Sequence, residues 1–111
     1  GVLTLTSTAQ DVPGCSLSLV AGTYMIIGVF DFAGTSLDAG FIALGTLVVD
    51  STTQDRRALN ELLADSRVTA VQVWNVTLTS TTTCKLQARK TGGTGTSTVD
   101  VDPTITALRV A

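Results

Sequence analysis

The chain has 111 residues, seven Lys+Arg against nine Asp+Glu, a net charge of −2 and no histidine. With 44% hydrophobic and only 14% charged residues, it is neither the apolar-poor, highly charged composition of a disordered chain nor the basic footprint of an ordinary nucleic-acid binder. The missing imidazole removes Ser-His-Asp and Cys-His catalysis, histidine metal ligation and histidine pH switching together.

The length fits one domain over residues 1–111 with a single core. The longest apolar run, Tyr24 to Phe32, is interrupted by Gly28 and Asp31. It falls short of the ~20 apolar residues of a membrane helix, so no membrane insertion is expected. The N-terminal residues show no charged segment followed by an apolar one of the kind a secretory leader carries.

In chain order the pattern reads as strand after strand. Threonine is the dominant polar residue, and with valine it gives a β-branched composition suited to pleated surfaces. Leu3 and Leu5 alternate with Thr4 and Thr6, a strand with one wet face. Asp11-Val-Pro-Gly14 has turn chemistry, and Cys15, Leu17 and Leu19 then alternate with Ser16 and Ser18. Ala21-Gly22 punctuates before Tyr24–Phe32, where Tyr24, Ile26, Phe30 and Phe32 share one face while Met25, Ile27 and Val29 occupy the other. A strand apolar on both faces is expected to be buried on both, the outer one against another subunit. Residues 33–40 form a polar, Gly-bounded loop, and Phe41–Val49 repeats the double-sided character. On this ground Met25, Ile27, Val29, Phe41, Ala43, Leu47 and Val49 are the candidate subunit-facing residues.

Gln54–Ala64 is the one helical candidate, because Leu59, Leu62 and Leu63 have i, i+3, i+4 spacing behind a possible cap at residues 51–53. An irregular connection or a strand fits the same residues. In Val68–Thr79 the apolar phase changes between Val73 and Trp74, which calls for a bulge or for burial on both faces. Cys84, Leu86 and Ala88 alternate with Lys85, Gln87 and Arg89. Residues 92–96 form a Gly/Thr loop, and Ile105–Val110 is a last strand. Seven or eight strands of this kind predict an all-β fold, an antiparallel sandwich or jelly roll.

Chemistry-bearing patterns are weak throughout. The Gly92–Thr96 stretch lacks the Lys-Ser/Thr and the helix of a phosphate loop and reads as a hairpin connection. Asp31, Asp38, Asp100 and Asp102 supply only a fragment of a calcium shell and read as solvated strand-end charges. Cys15 and Cys84 are either one disulfide or two buried thiols. Asn75-Val-Thr77 is formally a glycosylation sequon in mid-strand, and Arg56-Arg57 is a local positive spot at the surface. Trp74 and Tyr24 fall on apolar strand phases, which places them in the core rather than on a sugar-stacking platform. No catalytic residue, metal site or cofactor is expected.

The run DVPGCSLSLVAGTYMIIGVFDF from Asp11 to Phe32 resembles the opening strands of trimeric jelly-roll domains of the tumour-necrosis-factor and complement-globular-head kind. More closely, it resembles the versions found in tailed-phage virion proteins and their prophage relatives. WNVTLTS from Trp74, CKLQARK from Cys84, the Gly/Thr loop and TALRV from Thr106 continue the resemblance over most of the chain, with residues 50–66 supporting it least. It implies a homotrimer on a three-fold axis at the virion surface, and no catalytic residues. Two roles follow from it. One is a capsid decoration or cement protein bound to the major capsid protein or other virion proteins. The other is a tail-fibre or spike head that binds a host surface polysaccharide. Decoration is the expectation here, because nothing N-terminal reads as a fibrous shaft.

Overall fold

The computed structural model describes residues 3–35, 42–61, 67–91, 95–100 and 103–111. All the regular structure among them is strand: β1 (Leu3–Thr4), β2 (Gln10–Leu19), β3 (Gly22–Thr35), β4 (Ile42–Val49), β5 (Thr52–Glu61), β6 (Arg67–Leu78), β7 (Thr82–Thr91), β8 (Thr96–Val99) and β9 (Thr104–Arg109). Four antiparallel pairings, β1 with β8, β2 with β7, β3 with β6 and β4 with β5, fold the chain as one long hairpin. Wrapping that hairpin sets β8 and β9 along β3, and β7 along β4. Two sheets result, one ordered β1-β8-β3-β6 with β9 also on β3, the other β2-β7-β4-β5. This is the jelly-roll order, in which two stacked sheets bury their facing sides.

β8 and β9 behave as one interrupted strand. β8 lies opposite Phe32–Thr35, β9 lies opposite Tyr24–Val29, and the ladder is carried across the break by the Asp100 amide, which donates to the Asp31 carbonyl at 2.8 Å.

The core follows from the alternation. β3 contributes Tyr24, Ile26, Phe30 and Phe32, β6 contributes Ala70, Trp74, Val76 and Leu78, and the other sheet contributes Val12, Cys15, Ala43, Leu47, Cys84, Leu86 and Ala88. Phe30 and Phe32 are two residues apart on one face, and their rings stack with centroids 5.5 Å apart. Gly45 lies directly across from them. A Cβ there would sit 2.5 Å from the Phe30 ring, so the absence of a side chain on β4 is what lets the ring enter.

Four expectations change. Asp11–Gly14 does not end a strand. β2 runs through it, with Gly14 at φ 77° and a register shift between Asp11 and Ser16, so the residues form a bulge that only glycine accommodates cheaply. The helical spacing near Leu59 gives way to β5, because β4 has a second edge and pairing it satisfies the backbone from Thr52 to Glu61. The polar loop after Phe32 starts later, since β3 continues to Thr35 against β8. The phase change at Val73 is not a bulge, as β3 and β6 keep one register from Gly22↔Leu78 to Ala33↔Arg67. Val71 and Val73 simply lie on the outer face, opposite the inward row.

Candidate interaction surface

Both sheets have an outer face, and the two differ in chemistry. On the β2-β7-β4-β5 sheet, register aligns Asp11 with Gln87 and Thr46, Ser16 with Lys85 and Val48, and Arg89 with Leu44. Lys85 pairs with Asp11 at 3.0 Å and Gln87 donates to the same carboxylate at 2.8 Å. These two bonds, the Gln87 one first, hold the Asp11 carboxyl below its usual range. Leu44 and Val48 are nevertheless buried on this face, with the stems of Arg89 and Lys85 registered beside them.

The outer face of the other sheet has almost no charge. β3 presents Thr23, Met25, Ile27 and Val29 there. β6 adds Val71, Val73, Asn75 and Thr77 in register, and β9 adds Thr104, Thr106 and Leu108. Val110 extends the row, its amide donating to the Thr23 carbonyl at 2.9 Å. Met25, Ile27, Val29 and Val73 are half-buried, whereas Val71, Leu108 and Val110 are 58%, 54% and 58% exposed. Seven apolar side chains thus share one continuous surface rimmed by hydroxyls and an amide. Contiguous exposed apolar surface of this kind marks a contact site on soluble proteins.

Ionic contacts bound this face at one end. Arg67 on β6 bridges Asp31 at 2.8 Å and also pairs with Asp100, whose other oxygen accepts from the Thr98 hydroxyl at 2.6 Å. Asp31 and Asp100 are therefore engaged by an arginine, and no group of three or more metal-ligating side chains occurs among the described residues. Asp38 and Asp102 lie outside the described residues.

The seven candidate subunit-facing residues divide. Met25, Ile27 and Val29 lie on the apolar outer face. Ala43 and Leu47 are corrected: both are fully buried inside the sandwich, because β4 turns them toward Phe30, and no second subunit can reach them. Val49 is partly buried against the same core. Phe41 lies outside the described residues. The sequence reading missed Leu108 and Val110, which alternate with Ala107 and Arg109. The signal was present in that alternation, but pairing with β3 decides which phase faces outward.

The remaining sequence candidates are placed as follows. Trp74 and Tyr24 are core residues, 3% and 5% exposed, and the Tyr24 hydroxyl donates to the Val20 carbonyl at 2.8 Å. Cys15 and Cys84 are buried free thiols, with pKa values pushed up by burial. Arg57 is exposed on β5, and Asn75 and Thr77 are exposed on β6. Of the Gly/Thr loop, residues 92–94 lie outside the described residues, and the Gly95 carbonyl accepts from Lys90 at 3.4 Å.

No family model and no curated protein matches the chain. Among solved structures, a Paenibacillus sp. cycloisomaltooligosaccharide glucanotransferase complexed with cycloisomaltoheptaose is similar to it, at 24% identity and a TM-score of 0.43. The likeness covers 81% of this chain but only 13% of that one, and at this level it carries no functional argument.

Proposed function

We propose that the chain is a non-enzymatic structural module of a bacteriophage virion, a homotrimer on the particle surface that acts as a capsid decoration protein. The observation that carries the reading is the uncharged apolar face of β3, β6 and β9. A second copy removes that face from water, and the charged outer face of the other sheet stays free for the particle or the solvent. The jelly-roll strand order and the resemblance of Asp11–Phe32 to trimeric virion domains support the same reading.

Light scattering after size exclusion tests the assembly. The expected mass is a multiple of three times 11.5 kDa, insensitive to salt because apolar contact is not screened. Ile27→Asp on the face is expected to dissolve the three-fold contact while leaving the circular dichroism unchanged. A wild-type monomer overturns the trimer. Co-sedimentation with capsids stripped of surface proteins supports decoration. Retention on host surface polysaccharide instead transfers the role to a tail-fibre or spike head.

A further inference from the structure

We draw no further inference here: the strongest candidate, the exposed apolar side chains at the end of the sandwich where β3 begins, Val20 in the β2–β3 turn with Leu108 and Val110, carries nothing beyond the share that Leu108 and Val110 have in the face already described, because nothing in the structure shows what covers it.

Discussion

Asp50 and Ser51 hold φ values of 47° and 66° at the tip of the β4–β5 hairpin, between the paired residues Val49 and Thr52. Two consecutive left-handed residues are the geometry of a tight hairpin turn usually met by Asn-Gly, and an L side chain in that region costs roughly 1–2 kcal/mol. The pair Asp50→Asn/Ser51→Gly is therefore expected to stabilise the protein by about 1 kcal/mol, read as a higher denaturation midpoint at unchanged slope. No change would mean that the flanking ladder, including the Asp50 amide bond to the Thr83 carbonyl at 3.1 Å, bears no strain. Cys15 and Cys84 carry the other prediction at this scale. Burial raises both thiol pKa values, so the folded state favours the neutral form. The corresponding stability is fully present below the unfolded thiol pKa of ~8.5 and is lost as pH rises through the folded values. Unfolding titrations should show a loss at alkaline pH that disappears in Cys15→Ala/Cys84→Ala, and thiol reagents should label the native protein slowly at pH 7. Rapid native labelling would contradict the burial.

At the scale of elements, Arg67 ties β6 to the place where β8 gives way to β9, through Asp31 and Asp100. The arginine side chain is 58% exposed, so solvent screens the pairs and the global contribution is small, on the order of 1 kcal/mol or less. Arg67→Met should lower stability by no more than that, yet hasten exchange of the Asp100 amide, which donates to the Asp31 carbonyl. Equal exchange in both proteins would show the break to be held by the backbone alone. This is also where the legibility of the sequence can be judged. Cys84–Ala88, with clean alternation, was readable because it buries one phase against the core, and Tyr24–Phe32 was readable as a strand although both its phases are apolar. β5 was legible only as one of several alternatives, since the leucine spacing after Gln54 suits a helix as well as a strand, and the need of β4 for a second neighbour is a non-local fact. Nor could alternation alone separate the two causes of a double-sided strand. In β3 the second apolar row lies on an outer face, whereas in β4 Leu44 and Val48 are buried on the outer face of a sheet whose neighbours are long cationic side chains.

For the whole molecule, the difference between the two outer faces is the informative property. A net charge of −2 says nothing of the sort, because it averages a charged face with one that is nearly neutral. The jelly-roll wrap makes that separation possible: apart from β4–β5 and β8–β9, it sends strands consecutive in the chain to different sheets, so local sequence stretches such as Met25–Val29 and Leu44–Val48 are carried to opposite sides. The surface candidate could be read only in part for the same reason. Met25, Ile27 and Val29 announce themselves within one strand, while Val71, Leu108 and Val110 join them only once β6 and β9 are known to flank β3.

The place where Phe30 enters the space left by Gly45 makes those two positions a single variable shared between sheets. Neither can be altered as if the other were fixed: a methyl at 45 requires a smaller ring at 30, and a smaller ring at 30 leaves a void that a methyl at 45 is placed to fill. Homologous chains that keep this sandwich should exchange size between the two sites, and such reciprocity would be visible in their sequences before any of their structures were known.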